Sequence, residues 1–281
     1  MGRDDNTQPS PMSESSSPRP VFVFLTGAVA GVVTGLGLLA TYGLYVTQSK
    51  PKGRERASCG NDHNTVAICQ STSESIDIRT HLRFVRDFGR VDRTKDVNIV
   101  IETTGGDLSS AEAIAECLLR HRGPGKLRCY IPRYAYSSGL LIALCCDEII
   151  MGDSAIVGPI DGQLLCRGPE GVGMRMCPMS AVVDGIRYKR ERDQDIREEW
   201  LVLEATARKG IARQTEFLRR ICRERKYDDK IQDTLRDNLI SGKYMHDQTF
   251  TADDLAEWGL RVKIADPLPE FVEEFLPEPE I

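Results

Sequence analysis

From Val21 to Val46 the chain reads VFVFLTGAVAGVVTGLGLLATYGLYV, a run without one charged side chain. As a helix rising about 1.5 Å per residue, it is long enough to cross a hydrocarbon layer of about 30 Å. A soluble domain has little use for so long and so uniform an apolar helix, so residues 21–46 are expected to span a membrane and divide the chain. A cleaved signal peptide is the rival reading, and two features oppose it. The preceding stretch sets Arg3 and Arg19 against Asp4, Asp5 and Glu14, which is not a basic leader, and the run is longer than a signal-peptide core. Lys50, Lys52, Arg54 and Arg56 follow the run. Basic flanks stay on the cytosolic side, so the expectation is a single-pass membrane protein whose large C-terminal part is cytoplasmic. Gly27, Gly31 and Gly35 share one helix face, where two such helices could pack closely.

Around that span, residues 1–20 are rich in Ser, Pro and Asp and read as a disordered tail, and 47–72 read as a polar linker. Residues 73–281 remain for one folded domain. The net charge of −5 offers no basic footprint, so nucleic acid is not an expected partner. The nine cysteines are odd in number and irregular in spacing, unlike a disulfide framework. Several sit in apolar runs, as Cys145 and Cys146 do in LIALCC, where a reduced thiol packs as a small hydrophobe. That usage fits a reducing compartment. Cys166 and Cys177 flank a glycine-rich stretch, but no CxxC pair supports a metal site, and none is expected. Gly171-Val172-Gly173 is a fragment of a nucleotide loop without its remaining spacing or a following Lys-Ser/Thr. No cofactor is called for.

Within the domain, Ile78, Leu82, Val85 and Phe88 suit one face of a helix. VNIVIE at 97–102 is a β-branched run of strand length, followed by TTGGD and by a helix over 110–120. LRCYI at 127–131 is another short strand, and PRYAYSSG leads from it into the apolar helix LLIALCC. A strand resumes at 148–151, a loop rich in Gly and Pro is expected over 158–178, and a helix over 200–222 buries Trp200, Leu203, Ala207, Ile211 and Leu218. A short helix at 251–258 closed by Gly259, then a last strand at 260–264, complete an α/β alternation.

Two strand-to-helix turns carry the candidate chemistry. In Thr104-Gly105-Gly106-Asp107 paired glycines allow positive φ and close backbone approach, and N–H groups near a helix start can hold a negative oxygen. In Ala135-Tyr136-Ser137-Ser138-Gly139 a serine stands at a helix N-terminus, beside free N–H groups. Each has a plainer reading, the first as a simple turn and the second as a helix cap. Together they supply what acyl transfer requires, a nucleophile and N–H donors for the oxyanion.

The blocks IVIETTGGDLSSAEAIAECLL, AYSSGLLIALCCDEIIMGDSAIVGPIDGQ, ATARKGIARQ and LISGKYMHDQTFTADDLAEWGL, in that order, resemble the serine dehydrogenase proteinase family over roughly residues 75–275. That family groups with signal peptide peptidase A and the Clp protease proteolytic subunit. The resemblance implies a Clp protease/crotonase-like α/β fold of repeated β-β-α units, here preceded by one transmembrane helix, and serine endopeptidase activity on polypeptides. It makes Ser137 the nucleophile and assigns the oxyanion hole to the amides of Gly106 and Ser138, with Gly105 shaping the turn. It places Asp161, in Gly158-Pro159-Ile160-Asp161, beside the site, and relatives that assemble into rings imply a homo-oligomer.

The general base stays open. Lysine is favoured because signal peptide peptidases of this fold resemble a Ser–Lys dyad, and a lysine serves as base only where burial lowers its pKa. Lys209 lies between Ala205 and Ala212, small residues that leave room around its stem. Lys189 stands at the serine-to-lysine spacing typical of those peptidases, amid Arg187, Arg190 and Arg192. His246 follows Lys243 and Tyr244 and could face the site or cap the next element. Two further readings are a crotonase-like acyl-CoA enzyme, which would need a basic adenine-binding surface, and an inactive membrane scaffold.

Overall fold

The computed structural model describes residues 64–167 and 173–277. The expected membrane span, the glycine face within it, the N-terminal tail and most of the linker lie outside the described residues. Among those described, no helix is long and apolar enough to cross a membrane.

A five-stranded parallel sheet organises the domain: β1 (Thr65–Cys69), β2 (Val97–Glu102), β3 (Leu127–Ile131), β5 (Glu148–Gly152) and β9 (Val262–Ala265), side by side in that order. Parallel pairing forces each crossover to run over a sheet face, and alternate side chains then serve the two faces. Val66, Ile68, Val97, Ile99, Ile101, Cys129, Ile131, Ile149 and Met151 point into the main core. That core is completed by helices α1 (Ile78–Phe88), α2 (Leu108–Leu119), α3 (Ser138–Ala143), α5 (Glu198–Glu224), α6 (Asp229–Leu239) and α7 (Ala252–Glu257). Val100 and Tyr130 point the other way, with Ala67, Cys69 and Ile150. They are covered by Leu268, Phe271, Val272 and Phe275 of the segment after β9, which includes the short helix α8 (Glu270–Glu273). On that side the buried Glu102 takes a forked ion pair from Arg133, which also donates to the Pro277 carbonyl at 3.4 Å.

Beyond the ends of the main strands the chain makes a second row of short pairings. Ile76 bridges Gly106, and Thr103 bridges Ala135. The two-residue strands β4 (Tyr134–Ala135) and β6 (Ile156–Val157) pair in parallel, and Val157 bridges Phe250. A main strand, a short strand and a helix therefore recur, which is the expected repeated unit.

The structure revises three sequence expectations. β1 falls inside the stretch read as linker, because TVAIC is too short to stand out from its polar surroundings. Helix α1 buries Thr80, Phe84, Asp87 and Phe88, leaving Ile78, Leu82 and Val85 exposed, because Phe84 and Phe88 carry the larger apolar surface. The expected loop over 158–178 is a hairpin of β7 (Gln163–Arg167) and β8 (Met174–Pro178). QLLCR and MRMCP are apolar enough to pair, with Pro178 at the end of the second strand. Helix α4 (Met179–Arg190) follows it and packs with α5 around Cys166, Val182 and Ala207, a small separate core. Glu204, inside this arm, accepts from Arg190 at 2.8 and 2.6 Å and from Arg208 at 3.0 and 2.8 Å.

Candidate active site

Ser137 stands immediately before α3, at its N-cap position, with φ +50° and ψ −117°. A β-carbon makes that conformation costly, about 1–3 kcal/mol, so the surrounding structure must impose it. The Ser137 side chain makes no capping hydrogen bond to the helix. It is half-buried, outside the packed core. The plain reading of Ser137 as a cap is therefore not realised.

The Gly-Gly turn lies against it. Gly105 has φ +101°, and a β-carbon there would approach Ser137 Cβ to 2.9 Å, Tyr136 O to 3.0 Å and Ser138 N to 3.3 Å. Gly106 has φ +154°, and a β-carbon there would collide with the Ile76 backbone at 2.3 Å. Only glycine satisfies both the dihedrals and the approach. Several polar groups of this turn are committed. Gly105 N–H donates to Thr103 Oγ1 at 3.1 Å, and Gly105 C=O accepts from Ile76 N–H at 2.8 Å. Gly106 C=O accepts from the Ser138 hydroxyl at 3.0 Å, and Asp107 N–H donates to Ile76 O at 2.8 Å. Among the described residues the N–H groups of Gly106 and Ser138 have no protein acceptor, and neither do those of Thr104 and Ser137 next to them. Unpaired backbone donors are rare in folded proteins, and here they belong to two turns in contact beside a serine hydroxyl. Such donors can stabilise a developing oxyanion.

A third segment reaches the same end of the sheet. Ala135 pairs with Val157, and Val157 exchanges hydrogen bonds with Phe250 at 2.9 and 2.8 Å. From that rung the chain runs forward to Ser137 and to Asp161, and, Phe250 being antiparallel, backward to His246. One residue on, a β-carbon on Gly158 would meet Tyr136 Cδ1 at 2.7 Å and Gln248 O at 3.4 Å, so the three segments are packed together. At the end of this row His246 Nδ1 lies 2.7 Å from Asp161 Oδ1. A carboxylate only accepts, so Nδ1 carries a proton, and in the neutral ring Nε2 is then the acceptor. Asp161 is buried, and its other oxygen accepts from Gln163 Nε2 at 3.0 Å. Gln214, buried on α5, fixes this segment by accepting from Gly162 N–H at 3.0 Å and donating to Ile160 O at 2.7 Å.

The lysines are placed differently. Lys209 is exposed, and so are Ala205 and Ala212, because all three lie on the face of α5 turned away from Ala207 and Gln214. The small residues leave open solvent around the stem, and the burial expected of Lys209 is not found. Lys189 is exposed at the end of α4, and its amine donates to Asp195 O at 3.1 Å. Neither amine meets the desolvation that a neutral lysine base requires. His121 stands at the opposite end of the sheet, before β3, and donates from Nε2 to Gly125 O at 3.0 Å.

Burial pushes Cys129 and Cys145 well above the ordinary thiol range, so both stay protonated. All eight described cysteines are free. Among the described residues no three His, Cys, Asp or Glu side chains cluster to hold a metal ion. Sequence reasoning did not single out Thr103, Gln70, Gln163 or Gln214. Gln70, Thr103 and Gln214 act by contacts to residues distant in the chain and Gln163 by one to Asp161, two residues before it; Thr103 alone carried a signal, standing two residues before the first glycine.

Comparison with known proteins bears on this geometry. A family model described as ClpP-like SDH-type serine proteinase matches residues 72–277. Two uncharacterized proteins of Methanocaldococcus jannaschii are similar: MJ0137 is 30% identical over 66% of this chain and 60% of its own length. MJ1495 is 32% identical over 61% of this chain and 53% of its own length. The chain thus spans little more than half the length of these relatives. Among solved structures, a mutant of the 1510-N membrane-bound stomatin-specific protease aligns at 13% identity with a TM-score of 0.46, covering 75% of this chain and 81% of that one.

Proposed function

The chain belongs to the ClpP-like SDH-type serine proteinase family, and from that premise we propose that it hydrolyses polypeptides with Ser137 as nucleophile. The observation that carries the reading is the strained, uncapped serine against the unpaired backbone N–H groups of Gly106 and Ser138. Ser137 Oγ attacks the peptide carbonyl and gives up its proton. The Gly106 and Ser138 amides receive the oxyanion of the tetrahedral intermediate. The amine leaves with a proton, and water hydrolyses the acyl-enzyme by the same steps.

For the base the geometry favours His246 over Lys209 and Lys189. Its Nδ1–H is held by a buried carboxylate, which fixes the tautomer and stabilises the imidazolium that forms, while Nε2 is free to take the serine proton. Fluorophosphonate labelling of the full chain tests the nucleophile: labelling abolished by Ser137→Ala supports it, and labelling that survives the substitution refutes it. His246→Ala is expected to lower kcat by about 10²–10⁴-fold. Lys209→Ala and Lys189→Ala are expected to leave kcat within about threefold; a large loss in either, with His246→Ala active, restores the Ser–Lys alternative.

The reading extends to place and assembly. The apolar run at 21–46 anchors the domain to a membrane with its catalytic part cytoplasmic, acting on unfolded or membrane-derived polypeptides. Cys59 should then resist an impermeant thiol reagent applied to intact cells. Self-association is supported by exposed apolar side chains on the hairpin, Leu165, Met174 and Met176. Charge substitution of Met174 and Met176 should shift the size of detergent-solubilised protein towards the monomer.

A further inference from the structure

Thr103 ends the run that leads from β2 into the Gly-Gly turn, and it is fully buried. Its backbone pairs with the strand that delivers the nucleophile: Thr103 N–H donates to Tyr134 O at 3.2 Å, and Thr103 O accepts from Tyr136 N–H at 3.0 Å. Its side chain faces both turns. The methyl lies against α3, where a β-carbon on Gly139 would come within 2.6 Å of Thr103 Cγ2. The hydroxyl accepts the Gly105 N–H at 3.1 Å and donates to Gln70 Oε1 at 2.6 Å.

Gln70 closes the chain of bonds. Its Nε2 donates to Thr80 Oγ1 at 3.3 Å, and its own backbone N–H donates to Glu102 O at 2.9 Å. With Gln70 Oε1 taking the hydroxyl proton, a lone pair of Thr103 is left facing the Gly105 amide. The next peptide plane is held from its far side, since Gly105 O accepts from Ile76 N–H. A trans peptide points its N–H opposite to its C=O, so the Gly106 N–H is aimed away from Ile76.

We propose that Thr103, oriented by Gln70, is a positioning residue for the oxyanion hole. Its hydroxyl fixes the peptide plane before Gly105 and so the direction of the Gly106 N–H. Its methyl ties that direction to the helix that carries Ser137. The inference rests on the peptidase reading and adds to it a residue that touches neither substrate nor nucleophile oxygen.

The test separates hydroxyl from methyl in the full chain. Thr103→Val keeps the contact with Gly139 and removes the hydroxyl; Thr103→Ser keeps the hydroxyl and removes the methyl. Thr103→Val is expected to lower kcat roughly 10–100-fold with KM within about twofold, because a misaimed donor weakens the transition state and not substrate binding. Binding of a peptide boronate, which mimics the tetrahedral intermediate, should weaken by a similar factor. Thr103→Ser should recover most of both. Gln70→Leu, which leaves the hydroxyl without its acceptor, should reproduce part of the loss and serves where Thr103→Val folds poorly. Equal kcat per folded molecule in wild type, Thr103→Val and Gln70→Leu would overturn the positioning role while Ser137-dependent labelling stands. Absence of that labelling in the wild type would instead remove the peptidase reading, and this inference with it.

Discussion

The sheet and the arm solve the same problem with different resources. Around the five strands, helices from along the chain bury Ile99, Ile101, Ile114, Leu118 and Leu140 in one continuous core. The arm of β7, β8, α4 and the first half of α5 gathers only a small core around Cys166, Val182 and Ala207, and it holds its shape partly through Glu204 and two arginines. The site sits at their junction. The sheet side supplies Ser137 and the Gly106 and Ser138 amides, while Gln163 at the root of the hairpin and Gln214 on α5 hold the Asp161 segment. The difference bears on where rigidity is needed: the strained Ser137 has a dense core behind it, whereas His246, the proposed base, rests on a segment held by hydrogen bonds.

The sharpest way to break that comparison is at Ser137. Ser137→Gly is expected to remove turnover, by roughly a millionfold, as loss of a serine nucleophile does. It should at the same time raise the melting temperature, since glycine adopts φ +50° without strain. A lowered melting temperature would mean the turn is not strained. Next in size, Val97→Ala in the sheet should cost about 2 kcal/mol by urea unfolding, the loss of two buried methyls plus an unrelaxed cavity. The same deletion at Val182 in the arm should cost about half of that, because a small rim cluster can collapse. Equal costs would refute the contrast.

The smallest effect is expected at Glu204. The guanidinium of Arg190 first, and that of Arg208 next, hold its carboxyl below the ordinary range. The carboxyl is shielded by these partners more than by depth in the protein, and the arginines are half-exposed, so water screens the pairs. A lowered pKa in the folded state means that the contribution is whole at neutral pH. It fades as pH falls below the ordinary carboxylate range and is gone below the lowered value. The melting difference between wild type and Glu204→Gln should therefore shrink on acidification; a difference that grows would reverse the sign.

Where local chemistry decides structure, the sequence was readable. β2 and β3 coincide with VNIVIE and LRCYI, and the Thr251-capped helix ends before Gly259 as its residues dictate. The two turns were legible for the same reason, since φ > 0 and close approach leave marks in residue type. Their contact was expected from the family resemblance, and the geometry of Gly105 against Ser137 supplies it. What the residues alone could not show depends on partners far along the chain. Asp161 and His246 are 85 residues apart, and neither carries a mark of the other. Lys209 was placed by its small neighbours, yet Ala205 and Ala212 read the same on a buried or an open helix face. In α1 two apolar stripes competed, and only the packing of Phe84 and Phe88 decides between them.

The segment after β9 has a consequence for how the protein is made. Synthesis runs from the N-terminus, so the strands carrying Val100 and Tyr130 emerge well before Leu268, Phe271 and Val272, the side chains that roof them. Until that roof leaves the ribosome, one whole side of a nearly finished sheet stays greasy and open to neighbouring nascent copies. Yield in a cell should accordingly depend on how soon the segment after β9 follows the strands it covers.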